Sequence, residues 1–179
     1  MNVYEAVRTV LAVRSYQDKP IPTEAIHRIV EAAHLTGSSM NRQPWHFIVV
    51  DDREILRQLG ATAKSGPYIA KAALAVVVAI EKDSRFAVSD ASRAIQSMML
   101  TAWDEGIGSN WVGFHGLDAI KPLLAIPAEL DVLAIVPFGY PAQAVGKGQK
   151  ERKPFANVVH HGQFGEQFGQ SLKKSHNAN

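Results

Sequence analysis

Three groups of residues offer side chains or bare backbone that chemistry can use. Residues 37–49 read GSSMNRQPWHFIV, in which Ser38, Ser39, Asn41 and Gln43 bring hydroxyl and amide groups that both donate and accept hydrogen bonds. They stand where a helical pattern gives way to a strand pattern, a position at which functional loops sit on rigid scaffolds. The same residue types also favour turns and satisfy local backbone groups, which is the other use for them here. Arg14, Lys150 and Arg152 form the second group: basic side chains from two distant parts of the chain. Such groups converge on phosphates, arginine through a planar fork and lysine as a point charge, or else remain solvated surface charge. The third group is GIGSNWVGF at 106–114. Glycines around an aromatic residue at a strand end let bare backbone face a flat ligand, or mark a bulge or tight packing.

The elements that must position these groups follow from periodicity and punctuation. Asn2 and Glu5 have the spacing of a capping arrangement, and Val3, Ala6, Val7, Val10 and Leu11 recur at helical spacing after them. RSYQDKPIP ends that helix, its two prolines enforcing an extended or turning path. Thr23 is the expected N-cap of a second helix with Ile26, Ile29, Val30 and Ala33 on one face and Gly37 just past its end. WHFIVV at 45–50 is a strand, Asp52 caps a short helix ending near Gly60, and SGPYIAKAA holds a further turn. ALAVVVAIE at 73–81 is a continuous apolar run, the pattern of a strand buried on both faces. The longest helix is expected from about Ser89 to Glu105, with Ile95, Met98, Met99, Ala102 and Trp103 inward and Gly106 as its stop. IGSNWVGF and LDVLAIVPFGYP read as strands on either side of a short helix broken at Pro122. From about Ala142 the chain turns polar and basic, FANVVHHGQF reads as extended, and 166–179 reads as a frayed tail. Helices and strands mix without regular βαβ alternation, so the class is α+β.

Composition narrows the functions. The 179 residues are 46% hydrophobic, enough for one domain with its own core or an oligomer sharing one. No stretch approaches twenty unbroken apolar residues, and the first residues lack the basic-then-apolar signal pattern, so a membrane partner is not expected. With no cysteine, disulfides, thiolate catalysis and cysteine metal sites are excluded, which fits a cytoplasmic location. The net charge of +2 is small and the basic residues are not striped, so nucleic acid is not an expected partner. His160 and His161 have no carboxylates at metal-ligand spacing. Phosphate-binding glycine loops and a Gly-x-Ser-x-Gly elbow are missing from the sequence.

In their order along the chain, VRSYQDKPIP (13–22), GSSMNRQPWHFIVV (37–50), SDASRAIQSMMLTAWDEGIGSNWVGF (89–114), FGYPA (138–142) and KERKPFANVVHHGQFG (150–165) resemble the nitroreductase-like family of FMN-dependent NAD(P)H oxidoreductases. The resemblance implies a central, mostly antiparallel sheet flanked by helices, in an intertwined homodimer with two flavin sites at the subunit interface. It implies a single FMN-binding domain over 1–165, whose arm at about 142–165 wraps the partner. Arg14 matches the basic residue at the flavin's pyrimidine edge. Ser38, Ser39 and Asn41, with Gln43 beside them, match the loop that reaches the flavin from the other subunit. Val112 and Gly113 match the strand end near the flavin N5 and O4, and Lys150 and Arg152 match the pair that holds the phosphate. One departure stands out: Val10, Leu11 and Ala12 occupy the places where the family usually has Arg-Arg-Ser. A charge-assisted hydrogen bond is worth roughly 1.5–3 kcal/mol, so each donor lost would weaken FMN binding about ten- to a hundredfold.

The activity implied is hydride transfer from NADPH or NADH through flavin N5 to an electron-poor acceptor, a nitroaromatic or quinone, by ping-pong exchange. The flavin carries that chemistry, so no catalytic side chain is nominated. The alternatives are a flavin-binding storage or sensor protein with little turnover, and a relative with dehalogenase, ene-reductase or flavin-breakdown chemistry.

Overall fold

The computed structural model of the protein describes residues 1–113, 117–146 and 150–169. They divide into two units, Met1–Gly148 and Gln149–Asn179. The first unit contains helices α1 (Val3–Thr9), α2 (Thr23–His34), α3 (Arg53–Thr62) and α4 (Ala87–Asp104). Its strands are β1 (Trp45–Val50), β2 (Leu74–Glu81), β3 (Gly108–Ser109) and β4 (Leu130–Gly139). They form one sheet in the order β1-β2-β4-β3, and every strand pairing in it is antiparallel. The class is α+β, as expected.

Strand β2 shows why its sequence has no polar alternation. Its side chains alternate between two faces, and both faces are covered. Val76 and Val78 meet the helical layer of α2 and α4, packed against Ile29, Ala33, Ile95 and Met98. Ala75, Val77 and Ala79 face the opposite layer, where Leu56 and Leu59 of α3, Ile69 and Ile120 close the second core. All seven residues from Leu74 to Ile80 are buried. Truncating fully buried leucines such as Leu56 or Leu59 to alanine costs about 2–5 kcal/mol.

Local signals act as written at several ends. Asn2 Oδ1 accepts from the Glu5 N–H at 2.8 Å, and Asp52 Oδ1 accepts from the Ile55 N–H at 2.9 Å. Gly106 stops α4 with a left-handed φ of 74°. Two expectations need correction. Thr23 is the first residue of α2 instead of its cap: Pro22 precedes the helix and supplies no side-chain bond. The apolar stripe of α1 is also largely uncovered, because the helix stops at Thr9 and only Ala6 is buried, with Val3 and Val7 exposed.

In the second unit FANVVHHGQF is not extended. It begins with a 3₁₀ turn at Phe155–Asn157 and doubles back through left-handed Gly162 and Gly165, so that His160 bridges Gln167. Rings of this unit meet edge-on or tilted, Phe155 with Phe168 at 6.0 Å and His160 with Phe164 at 4.4 Å between centroids. Of the tail expected at 166–179, residues 170–179 lie outside the described residues.

Candidate functional site

Arg14 is carried by a segment that joins the sheet edge without being a regular strand. Ala12 bridges Ser109 of β3, and the Val13 N–H donates to the Ser109 carbonyl at 2.9 Å. Beyond Arg14, Tyr16 bridges Pro141, the Gln17 N–H donates to the Tyr140 carbonyl at 2.8 Å, and the Ala142 N–H donates to the Ser15 carbonyl at 2.9 Å. Two glycines make this approach possible. A Cβ on Gly108 would lie 2.6 Å from Val13 Cβ and 2.9 Å from its Cγ1, and one on Gly139 would lie 2.8 Å from the Tyr16 ring. Val13 and Tyr16 are buried in that cradle, and the Tyr16 hydroxyl donates to the Val13 carbonyl at 2.7 Å. Burial pushes the Tyr16 phenol well above its ordinary pKa, Tyr68 adding to this and the Arg14 charge opposing it, so Tyr16 remains a neutral donor. Asp18 is held by Arg53 at 3.2 Å, and Arg53 also donates to the Ala72 carbonyl at 2.9 Å. The Arg14 side chain between these anchors is exposed and has no ion-pair partner among the described residues.

The strand end at 108–113 is more packed than its glycines suggest. Val112 is buried and exchanges both backbone hydrogen bonds with Ile135, at 3.0 and 2.8 Å. The space a Cβ would take on Gly113 is filled by the Trp111 indole, whose Cδ1 would lie 3.0 Å away, and by the Leu133 carbonyl at 3.1 Å. Gly108 faces Val13, as above. Close packing therefore accounts for the missing side chains at 108 and 113. The sequence reading did not single out Asn110, which is buried and donates to the Tyr68 hydroxyl and, at 3.3 Å, to the Trp111 carbonyl. Next to it, the Ser109 hydroxyl is buried with no hydrogen-bond partner among the described residues.

The loop between α2 and β1 is tightly organised. The Ser38 hydroxyl accepts from the Gln43 N–H at 2.9 Å, and the Gln43 amide donates to Asn41 Oδ1 at 3.1 Å. Ser39 donates twice to Asp90, through its N–H at 2.9 Å and its hydroxyl at 3.2 Å. Asn41 and Gln43 are exposed, while Ser38 and Ser39 are half-buried. The serines thus serve the loop's own construction, and the two amides face outward. Asp90 is a second residue that sequence reasoning missed. Its motif SDASRA was noted, but a carboxylate among small helical residues carries no mark of what it will touch.

Lys150 and Arg152 lie in the second unit, two residues apart. Desolvation and the neighbouring Arg152 charge hold the Lys150 ammonium below the ordinary lysine pKa. Arg152 donates to the Glu151 carbonyl at 2.7 Å.

The nominated residues of the first unit form two separate groups. Ser38, Ser39, Asn41 and Gln43 lie at the N-terminal end of α4, beside the end of β1 that pairs with the close of β2. Arg14 lies on the segment that joins β3, past the C-terminal end of α4 and on the opposite edge of the sheet, while Val112 and Gly113 continue from that edge back along β4, Val112 opposite Ile135. The 18-residue α4 spans about 27 Å between the loop and the Arg14 end, and three strand spacings, about 14 Å, separate the β1 and β3 edges of the sheet. Arg14 and the 38–43 loop of one protomer therefore stand at opposite ends of α4. An open cleft of about 530 Å³ at the Gln17 end of the segment, lined by Trp103, Pro141 and Val145 among others, contains none of the nominated residues.

Comparison with known proteins gives one consistent family. The model of the Nitroreductase family matches residues 8–81 and 61–140. A Methanothermobacter thermautotrophicus protein, provisionally named an NADH dehydrogenase/NAD(P)H nitroreductase, is 36% identical over 82% of this chain and 81% of its own. One of the same name from Archaeoglobus fulgidus is 38% identical over 73% of this chain and 80% of its own. Among solved structures, an FMN-dependent nitroreductase from Clostridium difficile superposes with a TM-score of 0.83 at 27% identity, over 90% of this chain and 100% of that one. A protein from Desulfovibrio desulfuricans, provisionally a nitroreductase and solved with FMN, gives 0.78 at 28% identity, over 92% and 99%. On the family match and the archaeal relatives together, the chain belongs to the nitroreductase family.

Proposed function

We propose that the protein is an FMN-dependent oxidoreductase that takes reducing equivalents from NADPH or NADH and delivers them to an electron-poor small molecule of nitroaromatic or quinone type, the two substrates using one site in turn. The donor set fits FMN in kind. Arg14 is an exposed cation held on rigid backbone with no carboxylate paired to it among the described residues, Asn41 and Gln43 offer amides to a polar ring edge, and Lys150 with Arg152 offers a cationic pair to a phosphate. FMN, when bound, supplies hydride acceptance and donation at N5. The protein binds and orients. Arg14 places a permanent positive charge where negative charge develops, and its cradle holds that charge in position beforehand, so no reorganisation is needed at the moment of reaction. Val112 and Gly113 give the site a packed wall, and Lys150 and Arg152 fix the phosphate end.

The observation that carries this reading is the separation of Arg14 from the 38–43 loop by the length of α4. It supports a site assembled from two copies of the chain, Arg14 and the β3 edge from one and the 38–43 loop from the other, with the segment at 142–165 wrapping the partner in a homodimer. Subunit complementation tests it. Arg14→Ala and Asn41→Ala each impair FMN-dependent NADPH oxidation with a simple quinone as acceptor. Co-expressed, they form mixed dimers in which one of the two sites is intact and activity returns. If both residues served the same protomer's site, every site in the mixture would carry a lesion and activity would stay at the level of the single variants.

A second reading is favoured by one observation. The backbone of Ala12 bridges Ser109, Val10 and Leu11 are half-buried, and none of the three supplies a charged donor. Weakened FMN retention would suit a binding or sensing protein with little turnover, and slow reduction of protein-bound FMN by either nicotinamide would separate it from the first.

A further inference from the structure

The loop at 38–43 holds a backbone conformation that its residues do not favour. Met40, Asn41 and Gln43 have φ of 53°, 54° and 52°, the left-handed region, and none of them is glycine. Each carries a steric cost, and such strain persists only where the surroundings over-determine it. The determining group here is Asp90. It is fully buried in the first turn of α4, and its two oxygens accept from the Ser39 N–H at 2.9 Å, the Ser39 hydroxyl at 3.2 Å and the Arg93 guanidinium. Ser38 closes the other side, its carbonyl accepting from the Asn41 N–H at 3.0 Å and its hydroxyl from the Gln43 N–H. An ionised carboxylate is acceptor-only and can take all three donors, whereas an asparagine in its place would turn an NH₂ toward one of them.

We infer that Asp90 is a positioning residue for the flavin-binding site: by clamping Ser39 it holds Met40, Asn41 and Gln43 in the left-handed conformation that presents Asn41 and Gln43 outward. This rests on the reading that the 38–43 loop serves FMN. Burial alone would raise the Asp90 pKa, but the bonds from Ser39 and Arg93 outweigh it and hold the carboxyl below the usual range, so the clamp is charged at neutral pH.

The test is FMN affinity by fluorescence titration of flavin-stripped protein, alongside melting curves, for D90N, S39A, N41A, M40G and the M40G/D90N double variant. D90N is expected to weaken FMN binding about tenfold, the loss of one charge-assisted bond. Met40→Gly alone changes affinity less than about twofold, but in the D90N background it recovers at least about threefold, because glycine adopts positive φ without steric cost. A purely structural role for Asp90 would give no such rescue, and weakening by D90N that M40G leaves untouched would overturn the inference. Wild-type affinity in D90N together with weakened N41A would also overturn it while leaving the loop at the flavin. Wild-type affinity in both would remove the loop reading itself. If D90N does not fold, S39A decides, with about threefold weakening expected and an unchanged constant contradicting the clamp.

Discussion

Gly108→Ala strikes at how the fold delivers Arg14. The added methyl would sit 2.6 Å from Val13 Cβ and 2.9 Å from its Cγ1, with Cγ2 closer still. These contacts belong to one β-branched side chain, which has little rotamer freedom to step aside. Val13 is 5% exposed, and its N–H is bonded to Ser109 at 2.9 Å, so the backbone cannot move away without losing that bond. Overpacking of this kind costs about 1–3 kcal/mol, and a lost backbone hydrogen bond about 1 kcal/mol. Alanine's lower entropy cost in a strand returns about 0.5–1 kcal/mol. The net expectation is about 1–3 kcal/mol, a fall in Tm of roughly 2–12 °C for a chain of this length. Denaturant unfolding and FMN titration of G108A, V13A and the double variant form the assay. V13A removes the two Cγ contacts but keeps Cβ, so the double variant should be more stable than the sum of the single effects by part of the clash, about 0.5–1 kcal/mol. G108A should also weaken FMN binding, because the displaced segment carries Arg14. Additive stability effects, or G108A with wild-type stability, would refute the claim that the glycine exists to admit Val13.

Three further expectations concern charge. Arg152→Ala should raise the FMN dissociation constant about ten- to a hundredfold with an unchanged melting temperature, and an unchanged constant would exclude the phosphate role. FMN binding should weaken as pH rises toward the lysine range, starting lower than for an ordinary lysine because Lys150 is depressed; Lys150→Arg should flatten that profile, and an identical profile would contradict it. Asp90 has a folded pKa below its unfolded one, so its stabilisation is complete above about pH 4 and is lost as pH falls through the folded value. Urea unfolding of wild type and D90N should therefore converge below about pH 4, and a difference constant from pH 3 to 7 would count against it.

What the sequence made legible was local. The Asn2 and Asp52 caps, the Gly106 stop and the both-faces burial of β2 depend on neighbours a few residues away or on a simple pattern, and each forms as read. What it hid depends on pairings across the chain. The glycines of 106–114 read equally as backbone facing a flat ligand or as tight packing; at Gly108 it is packing, against Val13, 95 residues earlier, an approach that no local pattern encodes. The hydroxyls of Ser38 and Ser39 read either as ligand-facing or as satisfying the loop itself, and the sequence does not name their partners. Those hydroxyls bond Gln43 and Asp90, and the second partner is 51 residues away. The α1 stripe misled because periodicity reports an apolar face without saying what covers it. Family resemblance recovered the blocks and their order, but not that Arg14 and the 38–43 loop fall at opposite ends of α4.

Anaerobic reduction of the FMN-loaded protein tests the central claim most directly. Purified protein is loaded with FMN, freed of unbound flavin, and titrated with NADPH and then NADH while the flavin absorption band is followed. About one equivalent of at least one nicotinamide is expected to bleach the band within the time of a catalytic cycle, and a quinone added afterward to restore it. A protein that retains no FMN, or one whose bound flavin neither nicotinamide bleaches, would contradict that claim.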